Sequence, residues 1–306
     1  MEKINISLNN IDANKTSQLK TLGMNHILGS LMRSEKFNIS FHDKSINAFR
    51  GQTATLIYVN NKKIYLDFWE YATPTYTSEV YNENFDLIIK LQHKNFTNEH
   101  LSWFCKRKNI LSGLNDSQRE DYLKKIIPFT FFPSRTFEKY IGRENEIDKL
   151  PHENMGFFCG KGWRCRNKTI EILNKEGIEC IKSDQAEVGG KPITDEEFLR
   201  KMKVSKYGIV LAGRSTAITD AKNRREIDYM MLRKPLLLNY KPFYYNPLVE
   251  GKHYIYIDAN TDFKNLDKMY NMEEIVSNAT DWYNKNATPN GIANTFEQIL
   301  IEKGII

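Results

Sequence analysis

Apolar residues fall along this chain in short runs divided by polar, helix-compatible stretches, and the runs change character between the two halves. In the second half they are continuous: Met155-Gly156-Phe157-Phe158-Cys159, Tyr207-Gly208-Ile209-Val210-Leu211-Ala212 and Pro235-Leu236-Leu237-Leu238-Asn239. Short runs without alternation are what strands need when a parallel sheet is covered on both faces. Each exit carries glycine or asparagine, where ligands sit in such sheets. Between the runs, a helix is predicted over 167–176, stopping at Gly177, with a strand over 178–181. Ser183 to Pro192, with Gly189-Gly190, reads as an exposed loop. Thr194 with Glu197 three residues on forms a capping box, opening a helix whose buried side is Phe198, Met202 and Val204. From Leu266 to Ile306 the chain is mostly helical. Pro289-Asn290-Gly291 is expected to break it before a final amphipathic helix at about 294–302, whose apolar stripe is Thr295-Phe296 and Ile299-Leu300.

The first half alternates instead. Ile4-Asn5-Ile6-Ser7-Leu8 and Phe37-Asn38-Ile39-Ser40-Phe41 have period two, the second ending in His42-Asp43. Thr55 to Val59, Asn60-Asn61 and Lys63 to Leu66 read as strand, turn, strand. Asp86-Leu87-Ile88-Ile89-Lys90-Leu91 is a further buried strand, and helix-compatible stretches run over 41–50 and 96–109. A Pro-bounded apolar run, Ile126 to Pro133, leads into a basic, polar segment. The boundary between an α/β domain over 1–150 and a second over 151–306 is placed there, with Pro151 at the entry.

Composition narrows the field only a little. A chain of 306 residues, 41% hydrophobic and 27% charged, is an ordinary globular protein long enough for two domains. The net charge of +6 suits an anionic partner, but the basic residues are spread along the chain rather than gathered on one arm. Cys105, Cys159, Cys165 and Cys180 have neither CxxC spacing nor paired histidines, which argues against a zinc site. Met1-Glu2-Lys3-Ile4-Asn5 is not a secretory signal and no apolar stretch reaches spanning length, so the expectation is a cytoplasmic protein with reduced thiols. Peripheral contact with anionic lipid headgroups is compatible with the charge.

Chemistry concentrates at the strand exits of the second half. Gly160-Lys161-Gly162, with Arg164 and Arg166 on the stretch behind, offers free amides and cations to a pyrophosphate. The glycines fit neither the spaced dinucleotide fingerprint nor a P-loop. The exit Ala212-Gly213-Arg214-Ser215-Thr216 leads to Arg225-Glu226-Ile227-Asp228, in which Arg225 and Asp228 are three apart and share a helix face. Such a pair can divide a nucleotide, the guanidinium taking diphosphate and the carboxylate taking ribose hydroxyls.

The segment from Gly213 through Arg225-Glu226-Ile227-Asp228 to Lys234-Pro235-Leu236-Leu237-Leu238 resembles the donor site of GT-B-fold glycosyltransferases, exostosin-like ones in particular. The likeness continues through Pro242, Pro247, Gly251 and His253-Tyr254-Ile255 and covers roughly 155–300. It departs in offering Asp228 in the best register, with Glu226 second, where the family usually has Glu, and Arg233-Lys234 where it has a small residue. The resemblance implies two Rossmann-like domains facing a central cleft, with a C-terminal helix crossing back to the first domain. It also implies transfer of a hexosyl or pentosyl group from a nucleotide-sugar to a sugar, glycan or lipid-linked hydroxyl. The reaction would be inverting, with no metal and no cofactor beyond the donor. Domain 151–306 would hold the donor through Gly160, Lys161, Arg164, Gly213, Arg214, Ser215, Arg225, Glu226 and Asp228. Domain 1–150 would hold the acceptor and supply the base: Asp67 first, because it ends a strand, then Glu70, with His42 and Asp43 as further candidates. Trp69 and Tyr71 would stack on a sugar, and Lys90 and Gln92 would help bind donor or acceptor. Two other readings stand beside this one: a non-catalytic nucleotide or sugar-phosphate binding module, and a nucleic-acid-directed protein that glycosylates DNA bases.

Overall fold

The computed structural model describes residues 3–9, 27–42, 54–67, 85–90, 115–130, 133, 135–141, 143–147, 149–160, 164–182, 187–188, 191–212, 220–221 and 224–306. Asp43, Trp69, Glu70, Tyr71, Gln92, Lys161, Gly213, Arg214 and Ser215 lie outside these residues. The chain divides into two compact units: unit 1 holds residues 1–130, 243–245 and 289–306, and unit 2 holds 131–242 and 246–288.

Unit 1 is built on six strands: β1 (Ile4–Asn9), β2 (Phe37–His42), β3 (Ala54–Val59), β4 (Lys62–Asp67), β5 (Leu87–Lys90) and β6 (Ile126–Pro128). Helix α1 (Asp116–Lys124) leads into β6. The sheet order is β2-β1-β3-β4-β5-β6. β1 and β2 are parallel, as are β4 with β5 and β5 with β6, while β3 runs antiparallel to both its neighbours. Among the described strands of this unit only β3 is reversed. The cause is local: Asn60 and Asn61 take φ of 47° and 63°, the left-handed backbone of a tight hairpin turn. Asparagine reaches that region more easily than other L-residues. The final helix (Pro289–Glu302) belongs to this unit. Its Phe296, fully buried, meets Phe37 edge-on with ring centroids 5.7 Å apart, and Lys36 pairs with Glu297. The helical region does break before the final helix, at Ala287-Thr288, and Pro289-Asn290-Gly291 form the first turn of that helix. Proline is at home there, because the N–H it lacks would have had no helical partner.

Unit 2 begins with β7 (Asn154–Gly160), α2 (Arg164–Lys175) and β8 (Glu179–Lys182). Gly177, with φ of 77°, closes α2 in a Schellman turn: its amide donates to Asn174 and that of Ile178 to Leu173. The segment expected as a loop carries two short antiparallel strands, β9 (Glu187–Val188) and β10 (Lys191–Pro192), while Gly189-Gly190 lie outside the described residues. Then come α3 (Asp195–Val204), β11 (Ser205–Val210), β12 (Asp220–Ala221), α4 (Arg224–Met231), β13 (Leu236–Leu238), β14 (Lys241–Pro242), β15 (Ile255–Tyr256), α5 (Leu266–Met269) and α6 (Met272–Asn286). Thr194 caps α3, its hydroxyl accepting from the Glu197 amide at 3.1 Å.

The main sheet runs β15-β13-β11-β7-β8 with every neighbouring pair parallel, while β12 pairs with β14 alone. It starts one strand in from an edge, steps outward to β8, then returns across β7 to build the other side. Both faces are covered, as continuous apolar strands demand. Phe158, Ile209, Leu237 and Ile255 share one cluster with Ile170 and Leu173 of α2 and Ile275 of α6. On β7 and β11, the adjacent Phe157 and Gly208 meet Phe198 of α3 and Tyr229 of α4. Gly208 is there for space: a Cβ would lie 2.4 Å from Cγ of Tyr229, whose hydroxyl donates to the Phe157 carbonyl at 2.7 Å.

Candidate functional site: the carboxyl edges of the two sheets

The strand order of unit 2 defines where its site should be. Strands are added on one side of β7 and then, from β11 onward, on the other, and in open parallel sheets the crevice outside the carboxyl ends at such a switch is where ligands bind. Gly160 is the last residue of β7, in register with Lys182 of β8. Arg164 is the first residue of α2, the helix that leaves this exit. At the other exits, Asn239 Oδ1 accepts the Ala212 amide at 2.6 Å, tying the end of β13 to the end of β11.

Arg225 stands half-buried in the first turn of α4. Its guanidinium carbon lies 4.5 Å from the centroid of the Phe198 ring, which in turn meets Phe157 edge-on at 5.6 Å. Its charge is felt at the end of β7. Burial pushes the Cys159 thiol up from its usual range, Arg225 opposes that rise, and Glu179 adds to it. The predicted diphosphate ligand thus stands beside the switch point. Phe198, expected in the buried stripe of α3, is only partly buried and carries this cation, whereas Leu199, Met202 and Val204 fill the stripe.

The two carboxylates nearby separate. Glu226 is fully buried and accepts a hydrogen bond from the hydroxyl of Tyr240, two residues beyond β13, so it sits at the carboxyl edge. Asp228 is 1% exposed and lies within electrostatic reach of Tyr283 on α6. Burial first, then Glu144 and Asp228, raise the Tyr283 phenol, whose hydroxyl donates to Glu144 at 2.8 Å. A recess of about 160 Å³ opens beside Tyr283, bounded by Glu144, Met230, Arg233 and Thr280 at the far end of α4 from Arg225. The Arg233-Lys234 pair has a structural account. Arg233, at φ of 54°, turns the chain out of α4, and Lys234 Nζ donates at 2.6 Å to the carbonyl of Lys203 in the last turn of α3. Burial lowers the Lys234 ammonium to about 8.

In unit 1 the single reversed strand leaves β1, β2, β4, β5 and β6 pointing one way, so His42, Asp67 and Lys90 end their strands on one edge. Asp67 is in register with Lys90, and Lys90 with Pro128. Lys90 is not on an exposed strand end: it is completely buried, with its carbonyl accepting from the Phe129 amide at 2.9 Å. No helix among the described residues is long and apolar enough to cross a membrane, and among them no group of three or more His, Cys, Asp or Glu is placed to hold a metal ion.

These features define an α/β protein whose two main sheets are mostly parallel. No family model and no curated protein matches the sequence. Among solved structures, an α1,3-fucosyltransferase aligns with a TM-score of 0.39 and 13% identity, over 97% of this chain and 90% of that one. The pneumococcal O-GlcNAc transferase GtfA, in complex with UDP and GlcNAc, aligns with a TM-score of 0.35 and 11% identity, over 82% of this chain and 65% of that one.

Proposed function

We propose that this protein transfers a glycosyl group from a nucleoside diphosphate sugar to a hydroxyl acceptor, with inversion and without a metal. The observation that carries the reading is Arg225, half-buried at the carboxyl edge of a parallel sheet beside its β7/β11 switch point. The acceptor oxygen attacks the anomeric carbon, the bond from that carbon to the diphosphate oxygen breaks, and the nucleoside diphosphate leaves with the electron pair. Arg225, and Arg214 with it, stabilise the charge that develops on the leaving group. Glu226, tied to the carboxyl edge through Tyr240, is assigned to ribose, with Asp228 second. The acceptor proton is assigned to Asp67, which ends β4.

The test begins with calorimetry of nucleoside diphosphates and a panel of nucleotide-sugars followed for slow hydrolysis. Arg225→Ala should cost about 1.5–3 kcal/mol of diphosphate affinity, one to two decades. Asp67→Asn should keep donor affinity and lose roughly 10²–10⁴ in transfer. Unchanged diphosphate affinity in Arg225→Ala would move the donor site elsewhere. Normal turnover in Asp67→Asn would pass the base to Glu70, His42 or Asp43.

A further inference from the structure

We infer that Phe198 is a positioning residue for diphosphate binding, an aromatic platform that holds the Arg225 guanidinium at the carboxyl edge of the unit 2 sheet. The inference rests on the reading of Arg225 as a diphosphate ligand and adds a residue that this reading does not contain.

The geometry has three parts. The guanidinium carbon is 4.5 Å from the Phe198 ring centroid, well inside the distance at which a cation is attracted to the negative face of an aromatic ring. Where a guanidinium stacks on a ring its N–H donors lie in its own plane, so a contact of that kind takes none of them.

The platform is itself held from two sides. The Phe198 ring meets Phe157 edge-on at 5.6 Å with an interplanar angle of 63°, and Phe157 is a fully buried residue of β7 whose carbonyl accepts the Tyr229 hydroxyl. Phe198 also stands in the first turn of α3, next to the Glu197 amide that the Thr194 hydroxyl caps. A long, flexible arginine is thereby presented in one orientation before the ligand arrives. This reduces the rotamer freedom lost on binding. A wholly structural role would leave Phe198 as deeply buried as Leu199 or Met202; it is only partly buried, with the cation over its face.

The test is a double-mutant cycle on the full chain, with affinities for UDP, GDP, CDP and ADP measured by calorimetry and folding followed by thermal unfolding. For whichever diphosphate binds tightest, Phe198→Leu should weaken affinity about three- to tenfold. Phe198→Tyr, which keeps the ring face, should stay within about twofold of wild type. Arg225→Ala should lose ten- to a hundredfold, about the worth of a charge-assisted bond, and adding Phe198→Leu to it should change nothing further. An equal loss from Phe198→Leu in both backgrounds would make Phe198 a plain packing residue and overturn the inference. So would wild-type affinity in Phe198→Leu while Arg225→Ala binds poorly, an outcome that leaves the donor-site reading standing. If Arg225→Ala binds as wild type, or if no diphosphate binds wild type at all, the donor-site reading falls and the platform falls with it.

Discussion

The two sheets reach the same kind of edge by different routes. In unit 2, five strands run in one direction, and the first three connections are crossovers through helices that pack on the sheet. In unit 1, one strand is reversed, and the step from β3 to β4 needs only the two residues Asn60 and Asn61. A hairpin is local and depends on backbone conformation. A crossover is non-local and depends on how closely a helix can approach its strand. Both arrangements still bring several strand ends together on one side, and the candidate residues gather there: Arg225 and Glu226 in one unit, His42, Asp67 and Lys90 in the other.

The contrast predicts where each unit is vulnerable. The largest effect should come from Gly208→Ala. The added Cβ meets the base of the Tyr229 ring, atoms that cannot move without shifting α4, and overpacking of this kind costs about 1–3 kcal/mol. Denaturant unfolding should show the loss, and Tyr229→Phe, which leaves the ring in place, should not relieve it; an alanine variant as stable as wild type would mean that α4 does not press on β11. A smaller effect is expected at the unit 1 turn. Asn61→Ala places a Cβ-bearing residue without a helpful side chain at φ of 63°, at a cost of roughly 1–2 kcal/mol, while Asn61→Gly should be neutral or stabilising. If alanine and glycine behave alike, the turn is not what sets the hairpin.

The smallest effect is a pH dependence in unit 2. Lys234 has a folded-state value near 8, below its unfolded value near 10.5, so between these two the unfolded chain binds more protons than the folded one. Stability should therefore rise with pH from about 8 to about 10.5, relieving a penalty that is fully present below 8. Lys234→Met should flatten that rise in thermal unfolding curves. An identical slope in the variant would mean that another group titrates there.

The continuous apolar runs made β7, β11 and β13 legible, and Thr194, Gly177 and Asn60-Asn61 marked a cap, a helix end and a turn because each has a backbone reason to be that residue. What was not legible depends on tertiary arrangement. Arg225 lies over Phe198 of α3 while Asp228 is buried within electrostatic reach of Tyr283 on α6, and spacing along α4 encodes neither neighbour. The Phe198 contact requires knowing that α3 and α4 cover the same face of the sheet. That follows from the strand order, which no local pattern encodes. The strands β9 and β10 were missed because two residues carry no period to read, and the helix break expected at Pro289 falls just before it because proline begins helices as well as ending them.

The final helix has a consequence for how this chain comes into being. Phe37 and Phe296 touch although 259 positions separate them, and Lys36 reaches Glu297 across 261. Synthesis proceeds from the amino end, so the strands of unit 1 emerge first but wait for the last segment to cover Phe37. Unit 2, whose residues all lie between 131 and 288, has its full complement before that segment appears. Unit 1 is thus begun before unit 2 and completed after it, and until the final helix arrives Phe37 lacks the aromatic partner it has in the folded chain.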